Sequence, residues 1–477
     1  MSGVQYAGDF NIETAMLISP TGSRTNLLTD VNIVELNIFE DIFKNSIVGS
    51  IIIADTKNVI TQLPIMGQEF LKIKIATPTL FSNRDVIDFS ETSYAVQRIS
   101  LRKEINIGGQ VYELDFISQE AIKNAQRKIS KSYSDIKGNI GEIVSDLLVE
   151  DADGIQTSKD VFIEPTTGNR RYIIPNLNPF TAINILSEET ISQVGKNDST
   201  PSPHYLFFEN KNGLNFRSLQ SLYNQEIRDI FHVGDIGFDE KPITGDKESG
   251  KLMQNFRRVL AYEIKTRNDL FQSSASGMLG GRLITHDIFK KNYNVKTYNY
   301  FNDDDFENNR RLSDGKSASR IYSKERFLSS DFSNSTTMVV PTSKTSKGFD
   351  AQHTTSKKLD GFSDATRLDE TSLQRRSRIN EYGGGLAIQM VIHGRTTLTA
   401  GDLIYIYVPS LGDSEAKNKF YSGTYLVTKL RHTFDARVRA HEITMEVAKD
   451  SLSEDIPSTN SGNWGDAILR KSRKIRA

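Results

Sequence analysis

The stretch VELNIFEDIFKNSIVGSIIIA, residues 34–54, decides how this chain is read. Val34, Leu36 and Ile38 alternate with polar neighbours, the period-two pattern of a strand with one buried face. Farther on, Ile47, Gly49, Ile51 and Ile53 share one strand face, while Val48, Ile52 and Ala54 share the other. A segment apolar on both faces predicts a central or doubly covered strand. Working outward, Leu71, Ile73 and Ile75 alternate with Lys72 and Lys74, and Tyr112, Leu114 and Phe116 repeat the theme after the Gly108-Gly109 turn. Short strands at close spacing predict an antiparallel barrel or sandwich over residues 1–120.

Beyond it the period changes. Ile136, Ile140, Ile143, Val144, Leu147 and Leu148 fall on one helical face, and the run stops at Asp151-Ala-Asp-Gly154. A second helix is expected to open with Asn178 as N-cap and Pro179 in its first turn, burying Ala182, Ile183, Leu186 and Val194. Asn212-Gly213, between two apolar runs, predicts a hairpin. Residues 121–235 therefore read as an α+β insertion. Extended character returns over 236–300. Asn, Asp, Ser, Thr, Lys and Arg dominate 301–385, a polar, partly irregular excursion. Strand patterning resumes over 386–455, where Leu403, Tyr405 and Tyr407 alternate with Ile404, Ile406 and Val408. A basic tail, 456–477, follows. The fold class is α+β and β-rich, and the two ends of the chain are its β-domains.

Composition narrows the function. At 477 residues the chain is expected to hold two to four domains. Its apolar runs, such as Ile51-Ile52-Ile53-Ala54, are strand-sized, far from the roughly 20 residues that span a bilayer, so no membrane insertion is expected. The N-terminus lacks a basic n-region and an apolar h-region, which implies maturation where the chain is made. No cysteine is present, which excludes disulfides, thiolate metal sites and cysteine nucleophiles and suits a reducing cytosol. Lys plus Arg is 59 against 60 Asp plus Glu, a balance that argues against a dedicated nucleic-acid binder. One local basic cluster stands out: Arg470, Lys471, Arg473, Lys474 and Arg476, a candidate anchor on an acidic neighbour or a solvated terminus.

Fragments of catalytic motifs occur, each broken at a residue its chemistry requires. His441-Glu442 opens like a zinc-hydrolase helix, but the second histidine, four residues on, is Met445, and the segment alternates like a strand. Gly315-Lys316-Ser317 ends like a phosphate loop, yet Arg310 stands where the first glycine belongs. Residues 149–160 mimic a calcium loop through Asp151, Asp153, Gly154 and Asp160, but start on Val149, so a helix-terminating turn is the better reading. Asp303, Asp304 and Asp305 read as a solvated loop. His393, His432 and His441 share the last β-block without ligand spacing, and no nucleophile-elbow motif occurs. No catalytic residue, cofactor or metal is expected.

Two blocks carry a resemblance. The first runs from Val34 through Glu40-Asp41-Ile-Phe-Lys-Asn45 and Ala54-Asp55-Thr-Lys-Asn58 to Gly67-Gln-Glu-Phe-Leu-Lys-Ile-Lys-Ile75. The second is Gly394-Arg-Thr-Thr-Leu398-Thr-Ala-Gly401-Asp402 with its following strand, then Phe420-Tyr-Ser-Gly-Thr-Tyr425-Leu-Val-Thr-Lys-Leu-Arg-His432. They resemble the central baseplate hub proteins of contractile-tailed phages, related to the base of VgrG spikes. The intervening helices and hairpin occur in the family's order, while 301–385 are longer and more polar than its minimum. The resemblance implies two small antiparallel β-barrel domains per chain. It also implies a homotrimer forming a quasi-sixfold ring between the sixfold tail tube, or its initiator, and the threefold central spike, with baseplate wedge proteins around it. It places the chain in the virion, assembled in the host cytoplasm. Two other readings stay open: a cell-wall or polysaccharide-degrading tail enzyme, whose dispersed carboxylates need no local motif, and a glycan- or receptor-binding tail protein.

Overall fold

A computed structural model describes residues 7–62, 65–77, 86–106, 109–133, 138–167, 172–193, 203–234, 254–266, 270–287, 291–300, 312, 334–341, 379–382, 385–410 and 413–451. Strands dominate, and one 14-stranded sheet carries both ends of the chain.

The first half of that sheet curls into an open barrel. Its strands run in the order Asn11–Ile18, Phe70–Ala76, Tyr94–Asn106, Gly109–Ser118, Val48–Asp55 and Asn32–Asp41. Inward side chains follow the expected alternation. Leu36, Ile38, Ile51, Ile53, Ile73, Tyr112, Leu114 and Phe116 pack into one core. Gly49 makes room for this packing, since a Cβ there would lie 2.2 Å from the Phe116 ring. Val48–Asp55 is central, between Asn32–Asp41 and Gly109–Ser118. It is not doubly covered: Val48 is 37% exposed, and Ile52 is half-buried. No layer of the described chain packs on that outer face.

The second half closes. Strand Gly423–Asp435 pairs with Leu403–Tyr407, and then in turn come Ile227–Val233, Arg258–Thr266, Leu386–His393 and Ala440–Lys449, which pairs back to Gly423–Asp435. Ile388, Met390, Ile404, Ile406, Tyr425, Met445 and Val447 fill this ring. It is not wholly antiparallel, because Ile227–Val233 runs parallel to both neighbours. Hairpin neighbours must be antiparallel, whereas a strand delivered by long connections is free of that limit. Ile227–Val233 lies inside the stretch whose sequence reads as insertion, yet its ladder belongs to the second barrel.

Between the barrels sits the α+β module. Its helices are Gln119–Gln126, Ile140–Ser145 with a wider turn at Asp146–Glu150, Pro179–Glu189 and Leu219–Tyr223. Asn178 is the N-cap residue and Pro179 the first helical residue, as expected. The Asn178 side chain does not cap its own helix. Its Nδ2 donates to the carbonyls of Asn124 and Arg127 at 2.7 and 2.9 Å, while Asn124 Oδ1 accepts from Phe180 N. The helix ends at Glu189, where the Thr190 hydroxyl bonds back to Leu186 O at 2.6 Å, short of the expected Val194, which lies outside the described residues. The hairpin Tyr205–Asn210 and Gly213–Ser218 forms as expected and takes Val161–Ile163 as a third, parallel strand. A further small sheet joins Gly280–Asp287, Asn292–Asn299 and Thr337–Pro341, so part of the polar excursion is strand.

Candidate functional site at the seam of the two barrels

Strand Asn32–Asp41 of the first barrel pairs antiparallel with Gly423–Asp435 of the second, from Glu35 opposite Asp435 to Asp41 opposite Lys429. Arg431 donates from Nε and Nη2 to Asn37 Oδ1 at 3.1 and 3.0 Å across this ladder. Its 3.6 Å approach to Glu35 is partly exposed and adds little.

Glu40, near the end of the seam, is 2% exposed. Its carboxylate accepts from the Thr399 hydroxyl at 2.5 Å, Ala400 N at 2.8 Å and Lys211 N at 3.1 Å. These donors come from the second barrel and from the module's hairpin turn. Burial pushes Glu40 up to about 7 against the pull of those hydrogen bonds. From the same turn, Asn210 Nδ2 donates to Ala400 O at 3.0 Å, and Lys211 Nζ donates to Thr396 O.

The hairpin's other attachment is ionic. Glu209 accepts from Ile47 N at 3.0 Å and Lys159 Nζ at 2.5 Å, and lies 3.1 Å from Ser118 Oγ. Lys159 also pairs with Glu120 at 2.6 Å, and Glu120 accepts from Ser118 Oγ at 2.6 Å and Thr157 Oγ1 at 2.9 Å. Burial works against the Lys159 charge, but Glu209 and Glu120 outweigh it and hold the lysine above its usual range. Burial also wins at Glu209, which is held above the usual carboxylate range; at Glu120 Lys159 and Ser118 overcome burial and hold it below. An apolar cluster backs this junction with residues of all three parts, among them Ile42, Phe208, Leu222, Leu403 and Leu426.

Chemically this arrangement is a lock. Glu40, Glu120 and Glu209 are sealed from solvent and occupied by donors, so none of the three is presented to a substrate. Consecutive residues of one turn are bonded to both barrels: Glu209 holds the first, Asn210 holds the second, and Lys211 holds the first through its N–H to Glu40 and the second through its Nζ to Thr396 O.

The residues singled out in the sequence fall elsewhere. Arg470, Lys471, Arg473, Lys474 and Arg476 lie outside the described residues, as do Asp303, Asp304, Asp305 and the Gly315-Lys316-Ser317 loop. His441 sits on strand Ala440–Lys449, fully buried, and not on a helix. In the calcium-like loop Asp151 pairs with Lys131 at 2.8 Å and its Oδ1 caps Asp153 N, the chemistry of a helix-terminating turn. Among the described residues no group of three or more His, Asp or Glu side chains is placed to hold a metal ion. The structure does bring His432 and His441 together, Nδ1 to Nε2 at 3.0 Å. Linear spacing hides this pair; strand register around the Asp435–Ala440 turn places the two on one face. Nothing in the linear spacing marks Glu40, Lys159 or Glu209.

No family model and no curated protein matches the chain. Solved structures are similar over most of its length. The tail protein from Neisseria meningitidis MC58 is 9% identical with a TM-score of 0.49, over 93% of this chain and 97% of that one. The 43 kDa tail protein of prophage MuSo2 from Shewanella oneidensis is 8% identical with a TM-score of 0.49, over 92% and 99%. An E. coli component of the type VI secretion system, with structural similarity to T4 bacteriophage tail proteins, is 11% identical with a TM-score of 0.42, over 93% and 77%.

Proposed function

We propose that this chain is a structural, non-enzymatic hub of a contractile phage-tail baseplate. Three copies form a quasi-sixfold ring that joins the sixfold tail tube to the threefold central spike, with wedge proteins around it. The observation that carries this reading is the pair of barrels fused edge to edge within one chain by the ladder between Asn32–Asp41 and Gly423–Asp435. A chain that presents two six-stranded barrel units supplies six from three copies, the arithmetic that a symmetry adaptor needs. The ordered sequence blocks that resemble hub proteins support the same reading. So does the uncovered outer face beside the seam, where Phe39, Val48 and Ile117 stand in register across three strands, with Phe39 and Val48 each 37% exposed. The division into 1–120, 121–235, 236–300, 301–385, 386–455 and 456–477 belongs to this proposal, as does the role of the basic tail as an anchor on an acidic neighbour.

Light scattering on the purified chain, alone and with a spike partner, tests the hub. Three copies about one axis are expected, and Val48→Lys with Phe39→Lys is expected to weaken assembly while leaving circular dichroism unchanged. A chain that stays strictly monomeric and binds neither spike nor tube overturns the reading. Unchanged assembly after deletion of 465–477 removes the anchor.

A further inference from the structure

Where strands Gly423–Asp435 and Ala440–Lys449 meet the N-terminal residues 7–10, two imidazoles are sealed from water. His432 and His441 are each 0% exposed. Beyond their mutual 3.0 Å contact, His432 Nε2 and His441 Nδ1 have no hydrogen-bond partner. The walls are apolar: Phe434 stacks on His441 at 4.0 Å between centroids, and Phe10 sets its edge on Phe434 at 5.2 Å. Gly394 closes the pocket so tightly that a Cβ there would lie 2.1 Å from His441 Cγ. The backbone is tied at the same place, with His441 N donating to Gly8 O at 2.8 Å and Gly394 N to His441 O at 2.7 Å.

We infer that the His432–His441 pair is a proton-sensitive latch, and that acidification releases residues 7–10 and loosens the two strands that carry it. A neutral pair leaves one ring N–H and one lone pair unpartnered but carries no charge, whereas a further proton puts a full charge into this pocket, with no carboxylate among the described residues to meet it. The surrounding charges do not help. Lys211, on the module hairpin, acts on His432 and opposes its protonation. Glu40 is occupied by Thr399, Ala400 and Lys211, and Asp9 by Phe10 N at 2.9 Å. Glu442 is exposed, and its charge acts on His393. Arg395 pairs with Asp229. Burial takes His432 down to about 3, aided by Lys211, and burial with the neighbouring imidazole holds His441 well below the usual range.

The unfolded histidines take up protons near pH ~6.5, while the sealed pair does not. The latch is therefore at full strength above that pH and weakens as pH falls, by up to about tenfold in the opening equilibrium per pH unit for each histidine. Glu40 works the other way. Its raised value lets the folded chain bind that proton first, which strengthens the fold as pH falls from about 7 towards about 4.5. Global stability mixes the two effects, so the test is local.

Amide hydrogen exchange of the full chain, corrected for intrinsic rates, is measured at about pH 7.5, 6.5 and 5.5 together with exchange at the histidine ring C2 positions. The expected result is that peptides over 7–10 and 432–441 lose about tenfold protection or more between pH ~6.5 and ~5.5, while peptides over 109–118 do not. His441→Phe, which fills the same apolar slot, is expected to flatten that difference. Should this variant fail to fold, the wild-type measurement still decides. Constant protection across the range, or native ring positions of His432 and His441 that titrate near pH ~6.5, overturns the latch.

Discussion

Lys159 sits between two carboxylates with only 6% of its side chain exposed, against 3% for Glu120 and 1% for Glu209. Ions so far from water are tolerable only because each is paired and further hydrogen-bonded, here by Ser118, Thr157 and Ile47 N. Taking away the cation alone leaves like charges facing each other in a dry space. Lys159→Met is therefore expected to lower the urea-unfolding free energy by about 3–5 kcal/mol. Lys123→Met is the control, because Lys123 is half-buried and donates only to Gln156 O, so its loss is expected within about 1 kcal/mol. A Lys159 variant as stable as that control would show that the cluster does not hold the module to the first barrel.

The hairpin Tyr205–Asn210 and Gly213–Ser218 is the element on which the junction depends, and its turn has little freedom. Gly213 adopts φ +132°, and a Cβ there would lie 2.2 Å from Asp160 O. Both the backbone angle and the space demand glycine. Gly22 has φ +88° but nothing within 4 Å of its Cβ position. Gly213→Ala is thus expected to cost more than about 2 kcal/mol and to expose Glu209 and Lys211 together, whereas Gly22→Ala carries only the backbone strain, about 1 kcal/mol. Thermal melts of the two variants check the order; equal shifts would mean that the clash at Asp160 relaxes freely.

At the scale of the molecule, strand Gly423–Asp435 belongs to everything at once. It closes the second barrel through Ala440–Lys449 and joins the first through Asn32–Asp41. Its ladder, Glu40 and the shared apolar cluster couple the two barrels, so they are expected to unfold in one transition. Far-UV circular dichroism and tyrosine fluorescence should give coincident urea curves. Thr433→Pro removes an N–H from this central strand, where Thr433 lies opposite both Asn37 and Glu442, and is expected to separate the curves or abolish folding. Two well-resolved steps in the wild-type chain would show that the seam does not couple the barrels.

Several of the β-strands with one side facing a core were legible in the sequence. Val34, Leu36 and Ile38, or Leu403, Tyr405 and Tyr407, alternate because the pleat turns successive side chains to opposite faces. The hairpin turn and the start of helix Pro179–Glu189 were legible for a similar reason, since Gly213 and Asn178-Pro179 answer local backbone demands. The end of that helix was not, because a Thr190 hydroxyl stops it where a glycine would have announced itself. Nor was the seam. Glu40 and Thr399 are 359 residues apart, and nothing near either one marks it as half of a buried hydrogen bond. His432 and His441 meet only because strand register sets them side by side. Local pattern determined which segments are strands and which face turns inward. Tertiary structure alone decided that residues 47–54, apolar on both faces in sequence, end with one face in a barrel core and the other uncovered beside a second barrel, because burial there depends on what the rest of the chain brings to that face.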